Sequence, residues 1–486
     1  MKNNTPFLNG FPHTLFGSAG RGAQQKIVQQ RRKLIDLSPG SLSAELSDVL
    51  DPLFVSQCSG KQRRRHFSHE VTFWTFLGQI LNDDRSCRRA VAEAQSWFVD
   101  HQLPVPSADT SSYCQARQRL PEQMLDRIHQ QLNQTLFRET SKDTLWHGHH
   151  VKAFDGSSLQ LPDTTANQAS YPQHSGQKEG CGFPIMKIAG LINLCHGGWE
   201  QFVHSDLHHH DARLLDQVFD HLGEDEVLVA DRAFGSWEAF ARCKMQKSWM
   251  LARLHQMRKA DFRQGKRIGK DERLVKWKKP AQPGRSVLSK EEWKALPEEM
   301  EIRLVRFRIK GRNGKKKTIV LSTNLLDHHR YPAESIASLY YDRWEIELRL
   351  RDLKTTMGME MLRTKTPEMA RKELAMYVIA YNVIRLLMLR ANLTHDQSPW
   401  AISFKAALQV VMAWREQFRH MHHRPGKRRQ LSRILLQQVA DRKVKKRPGR
   451  HEPRAVKRRP KGYPLLNEKR SEYIEIFHRS SYRKAA

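Results

Sequence analysis

Apolar residues recur at helical spacing in four successive runs of the first third of the chain. They are SLSAELSDVLDPLF from position 41, HEVTFWTFLGQILNDD, SCRRAVAEAQSWFVDHQ, and LPEQMLDRIHQQLNQTLFRE ending near 139. This periodicity predicts a helical region over 1–146, preceded by a loose polar lead-in through about 40 with a basic run, KIVQQRRK. At about 150 the pattern switches to short apolar runs. VKAFDGSSLQL (151–161) reads as a strand with Asp155 at its end, and PIMKIAGLINLC, HGG and WEQFVHSDL read as two strands around a tight turn. DARLLDQVFDHL is helical, EVLVADRAFGSW is a compact strand ending in Asp231, WEAFARCKMQ is helical, and SWMLARL supplies another strand. Three antiparallel strands, a helix, a strand, a helix and a strand describe a mixed α/β sheet over 147–254. Residues 255–330 are basic and irregular, with two β-like runs at 301–309 and 316–323 joined by KGRNG, and read as a β-rich insertion. Helices return over 331–395, including the strongly apolar AMYVIAYNVIRLLMLRA, and continue to about 440 within a C-terminal region, 396–486.

Composition adds a partner. Eighty-three Lys and Arg stand against 51 Asp and Glu, a net charge of +32, which predicts a polyanionic ligand, most often nucleic acid. The Lys/Arg/Pro-rich tail at 442–464 extends that surplus as an extended phosphate-contacting segment. No amphipathic anchor and no apolar run near 18 residues is apparent, so no membrane partner is expected. The polar, glycine-rich N-terminus lacks the apolar stretch of a secretory signal. Six scattered cysteines without a C-x-x-C pair read as reduced thiols of an intracellular protein. In the helical region, QRRRH (62–66), CRRA (87–90), and Arg117 and Arg119 offer basic surface, but no recognition helix stands out.

Candidate chemistry centres on LYYDRWEIELRLRDLKTTM, residues 339–357. On an ideal helix Tyr340, Arg343, Glu347 and Lys354 share an arc of roughly 60°. A carboxylate among basic groups suits a site for a cation and phosphates, although a solvated face laced with ion pairs has the same pattern. Asp155 and Asp231 at strand ends complete an acidic trio with Glu347. Alone, an aspartate at a strand end is commonly a turn or helix cap. Together the three can hold two divalent cations for in-line phosphoryl displacement, and oxygen ligands favour Mg²⁺ or Mn²⁺ over zinc.

In these residues the chain resembles the insertion-sequence transposases of the Asp-Asp-Glu (DDE) class, in the group marked by Tyr-x-x-Arg-x-x-x-Glu-x-x-x-x-x-x-Lys. That signature stands complete as Tyr340, Arg343, Glu347 and Lys354, with FDGS around Asp155, VADRAF around Asp231, and a basic β-rich insertion before the glutamate helix. The likeness is strongest over about 150–390. It implies an RNase H-like core with a β-rich insertion, flanked by helical N- and C-terminal regions, the former binding DNA. It also implies a cut-and-paste enzyme that binds its element's terminal inverted repeats, hydrolyses DNA with two Mg²⁺ ions (Mn²⁺ substituting) and joins the freed 3′-hydroxyls to target DNA. Asp155, Asp231 and Glu347 would be the metal ligands, Arg343 and Lys354 phosphate contacts, Tyr340 a positioner of the terminal phosphate, and Arg253 a basic contact to terminal DNA. A homodimer on double-stranded DNA and a cytoplasmic, nucleoid-associated location follow from the same resemblance. One departure is that relatives carry a base-stacking tryptophan in the insertion where this chain has KTIVLST; Trp277 and Trp293 lie upstream as substitutes or as packing residues.

Other constellations carry less. His208, His209, His210 and Asp211 are consecutive on a short loop and ill placed to converge on one ion. GRNGKKKT lacks the spacing of a phosphate-binding loop. Ser157 and Ser158 sit beside no evident base, and Tyr340 lacks the Arg-His-Arg set of a tyrosine recombinase. A DNA-binding repressor or inhibitor that has lost catalysis, and a stand-alone nuclease, are the alternatives. The intact acidic trio argues against the first, because carboxylates repel phosphate.

Overall fold

Two compact units divide the chain: residues 1–128 with 408–439, and residues 129–407 with 440–486. The computed structural model describes residues 46–60, 65–208, 211–284, 286–310, 316–395, 400–418 and 424–444, with short pieces at 468–469, 472–475 and 482–484. The lead-in, most of QRRRH, His209 and His210, the KGRNG connection and most of the basic tail lie outside the described residues.

In the first unit, α1 (Pro52–Ser59), α2 (His69–Leu81), α3 (Cys87–Asp100) and α4 (Ser111–Arg119) follow one another, and α5 (Glu122–Glu139) begins there. Serine hydroxyls start two of them: Ser68 accepts from Val71 N and Ser86 from Arg89 N, each satisfying a backbone donor that a helix start leaves open. Every residue of α2 from Thr72 to Leu81 is buried. Phe67, Ala90, Val91, Ala94, Tyr113 and Ala116 form a small apolar core joining α3 and α4.

The second unit is built on one nine-stranded sheet. In chain order its elements are β1 (Val151–Gln160), α6 (Thr165–Ser170), β2 (Ile185–Asn193), β3 (Trp199–Ser205), α7 (Asp211–Asp216), β4 (Val227–Ala230), α8 (Trp237–Met245) and β5 (Trp249–Arg253). There follow β6 (Lys266–Gly269), β7 (Glu272–Lys278), α9 (Lys290–Ala295), β8 (Glu299–Lys310) and β9 (Lys316–Thr323). The strand order is β3-β2-β1-β4-β5-β9-β8-β7-β6. Only β1, β4 and β5 run parallel, and every residue of β4 is buried, as a central strand covered on both faces requires. The basic segment after 254 does not form a separate sheet, because β9 pairs with β5 and carries β8, β7 and β6 outward. Gly197 makes the turn between β2 and β3 at φ 72°, a conformation that costs other residues steric strain.

After the sheet come α10 (Ala333–Asp342), α11 (Trp344–Arg351), a π-helical turn (Asp352–Thr356), and the long α12 (Pro367–Thr394). The chain then enters α13 (Phe404–Phe418) and α14 (Pro425–Ala440), which largely belong to the first unit. Contrary to the sequence reading, α12 is long and apolar enough to cross a membrane, yet 89% of its most apolar stretch is buried in the protein. It serves as a core helix: Asn382 accepts from Trp199 N at 2.9 Å and donates to Trp199 O at 2.8 Å.

Candidate active site

The parallel ladder fixes the site. Phe154 pairs with Ala230, and Ala230 with Ala252, as the last matched row of β1, β4 and β5. One residue further along each strand stand Asp155, Asp231 and Arg253, side by side at the carboxyl ends of the parallel strands, where open α/β sheets bind ligands. Neighbouring strands are about 4.8 Å apart, so the two aspartates are adjacent. Asp155 does not end its strand, however. Beyond it β1 continues against β2 as far as Gln160–Ile185. The Gly-Ser-Ser that reads as a turn lies in extended chain held by one antiparallel neighbour.

Side chains alternate along a strand, so Asp155 and Ser157 share one face. The segment from α10 to the π turn meets both. Arg343 Nη1 lies 3.7 Å from Asp155 Oδ2, and Lys354 Nζ donates to Ser157 Oγ at 3.0 Å. Asp155 Oδ1 also accepts from Gly156 N at 2.8 Å. Arg343 Nη2 lies 3.6 Å from Glu347 Oε1, and Tyr340 Oη donates to Asp231 Oδ1 at 3.2 Å. All six signature and acidic residues are thereby brought together; Arg253, half-buried, shares their level of the sheet.

The single straight helix expected over 339–357 is not what carries them. Arg343 closes α10 and opens α11, and α11 passes into the π turn, where Met357 N bonds Asp352 O at 2.9 Å. A π turn holds one more residue than an α turn, so Lys354 does not occupy the angular position an ideal helix gives it. Behind the reactive face, Arg349 donates to Glu345 at 2.8 Å and to Asp352 at 3.1 Å, clasping the two ends of the α-to-π transition. Sequence reasoning did not single out this clasp, and weighed Ser157 only as a nucleophile without a base. Period-two spacing from Asp155 is the one signal that points to Ser157.

Electrostatically the trio is a concentration of like charge. Burial pushes the Glu347 carboxyl above its ordinary range, Arg343 pulls it down, and Asp155 and Asp231 push it up again. Burial likewise raises the Tyr340 phenol, reinforced by the Asp231 charge. Arg343 itself is buried and stands between Asp155 and Glu347. Among the described residues no three acidic, histidine or cysteine side chains are gathered tightly enough to hold an ion as they stand. The donor set nonetheless fits a hard divalent cation: three carboxylates, all oxygen, whose mutual repulsion a cation relieves.

Trp277 and Trp293 are each 7% exposed and belong to the main apolar core, Trp277 edge-on to Phe240 and Trp293 against Trp237. They are packing residues, not replacements for the absent base-stacking tryptophan.

The family described as Transposase DDE domain matches residues 146–383. Over 439 residues the chain is 28% identical to the transposase InsG for insertion sequence element IS4 of Escherichia coli strain K12, covering 87% of this chain and 94% of that protein. Among solved structures it is similar to piggyBac transposase in a synaptic complex with hairpin DNA, with TM-score 0.39, 11% identity and 87% of each chain covered.

Proposed function

The chain belongs to the DDE transposases of insertion sequences, and from that premise we propose a cut-and-paste enzyme that binds the terminal inverted repeats of its own element, cleaves them and joins their 3′-hydroxyls to target DNA. The observation that carries this reading is the row at the strand ends: Asp155 and Asp231 abreast, with Glu347 facing them across Arg343. The strand order β3-β2-β1-β4-β5 supports an RNase H-like core, with β6 to β9 as its insertion.

In this reading Asp155, Asp231 and Glu347 hold two divalent cations, Mg²⁺ with Mn²⁺ as substitute. Bound there, the cations would stabilise the attacking and leaving oxygens of an in-line displacement. The protein's own groups do the rest. Tyr340 fixes the orientation of Asp231 through its hydroxyl. Arg343, already drawn to two carboxylates, would meet phosphate oxygens with its planar guanidinium. Lys354, steadied by Ser157, offers a point charge to the next phosphate. Arg253 extends this basic rim along the sheet edge. The helical region through residue 146 would bind the element's ends, and two copies would pair them, acting at the nucleoid in the cytoplasm.

The test is a supercoiled plasmid carrying the flanking ends, incubated with the protein and Mg²⁺ or Mn²⁺, wild type against Asp231→Asn. Metal-dependent cutting at the ends and joined products, absent in the variant, are expected. Specific end binding without cutting in either metal would instead identify a DNA-binding repressor of transposition. Cutting without joining would leave a nuclease.

A further inference from the structure

We propose that Cys87 and Cys114, in the helical unit, form a reversible disulfide when a hydroperoxide oxidises them. Cys87 opens α3 and Cys114 lies within α4, 27 positions later. The Cys114 thiol donates to Cys87 Sγ across 3.8 Å, so the sulfurs are already in contact. Among the described residues no other pair of cysteines is joined in this way. Cys195 and Cys243 illustrate the contrast: burial pushes their thiols up to about 11 and about 12, which leaves them inert at neutral pH.

The surroundings of the pair are built. Tyr113 Oη donates to Gln79 Oε1 at 2.7 Å, and Gln79 Nε2 donates to Arg85 O at 2.8 Å and to Cys87 Sγ at 3.7 Å. The Arg117 guanidinium, lying against the Phe76 and Tyr113 rings, donates to Cys114 Sγ at 3.9 Å. Burial raises the Cys87 thiol and the Arg117 charge opposes that rise. Both cysteines are only half-buried, so a small oxidant reaches them. What sets the pair apart is geometry: two touching, accessible sulfurs beside a guanidinium.

The chemistry balances without a cofactor. One thiolate attacks a peroxide oxygen; the O–O bond breaks, an alcohol or water leaves, and a sulfenic acid remains on sulfur. The second thiol then attacks that sulfur, the S–O bond breaks, water leaves and the S–S bond forms. Two thiols lose two electrons in all, and one hydroperoxide gains them. The product ties α3 to α4.

The experiment uses the full chain, reduced, desalted and exposed to hydrogen peroxide. Free thiols are then blocked and the protein is digested without reductant. The expected result is the loss of two of the six free thiols, a joined peptide pair containing Cys87 and Cys114, and full reversal by dithiothreitol. Cys87→Ser should abolish the joined pair and leave at Cys114 a sulfenic acid that dimedone captures. Separate sulfinic acids on the two cysteines, a link from either to another cysteine, or both thiols surviving while others oxidise would each overturn the proposal.

Discussion

Two groups of charges lie three residues apart on β1, and they are handled in opposite ways. Lys152 is buried with Glu200 and Glu226 at 2.6 Å each and donates to His221 O at 2.7 Å. The carboxylates are satisfied further, Glu200 by Asn193 at 2.8 Å and Glu226 by Gly223 N at 2.6 Å. Burial opposes the charge on Lys152, but its two glutamates together outweigh burial and push its pKa up. At Asp155, by contrast, the bridging contacts of Arg343 to Asp155 and Glu347 are 3.7 and 3.6 Å, too long for hydrogen bonds, and two carboxylates share its charge. A structural ion cluster closes its contacts. Around Arg343 they stay long.

The sharpest break of this comparison is at the loose end. Glu347→Gln should lower end cleavage at least about a thousandfold, the scale on which one transition-state stabiliser acts, while end binding and the melting temperature are preserved. Equal loss of cleavage and binding in a gel-shift assay would undercut its role at the reacting phosphate. At the closed end the effects exchange. Lys152→Met leaves two buried carboxylates uncompensated and should cost about 3–5 kcal/mol in a urea titration. Its cleavage per folded molecule should not change.

Acid probes the closed end more gently. Burial holds His129 down to about 4, and His196, buried beside His150, Arg385 and Lys152, lies well below its ordinary value. Both stay neutral in the fold and protonate near pH 6.5 when unfolded. The stability they contribute is therefore complete above pH 6.5 and declines as pH falls toward about 4, by about 1.4 kcal/mol per pH unit for each. His129→Gln, which keeps a donor for Trp199 O, should flatten the fall in unfolding midpoint between pH 7 and pH 5.

How much of this was legible follows from what local sequence encodes. Residue types and spacings name Tyr340, Arg343, Glu347 and Lys354, and short apolar runs mark β4 and β5. The break at Arg343 and the π turn were not legible, because an ideal helix satisfies the same spacings; contacts to β1 and the Glu345–Arg349–Asp352 clasp accompany the departure. Asp155 looked terminal because Gly156, Ser157 and Ser158 resemble a turn, whereas pairing with a distant strand, β2, keeps them extended. Two β-runs of the insertion, β8 and β9, were visible, but not β6 and β7, nor that β9 would find β5. Strand partners are long-range facts. The tryptophans stayed open between two readings for a related reason: Trp277 and Trp293 sit in a basic, polar stretch yet fill the core beside Phe240 and Trp237.

The smallest expected effect tests whether the π turn matters to the loose site. Lys354 reaches β1 only through Ser157 Oγ, a single hydrogen bond of 3.0 Å worth about 0.5–1.5 kcal/mol. Ser157→Ala should therefore weaken end complexes by about two- to tenfold, with cleavage of bound DNA unchanged. Lys354→Ala removes the charge as well and should reduce the slope of log affinity against log salt by about one. If the serine acts by steadying the lysine, the two losses do not add: Ser157→Ala made on top of Lys354→Ala should cost nothing more. Additive losses in that double-mutant cycle would mean that Ser157 meets DNA on its own account, and that the π turn delivers Lys354 without help from the strand.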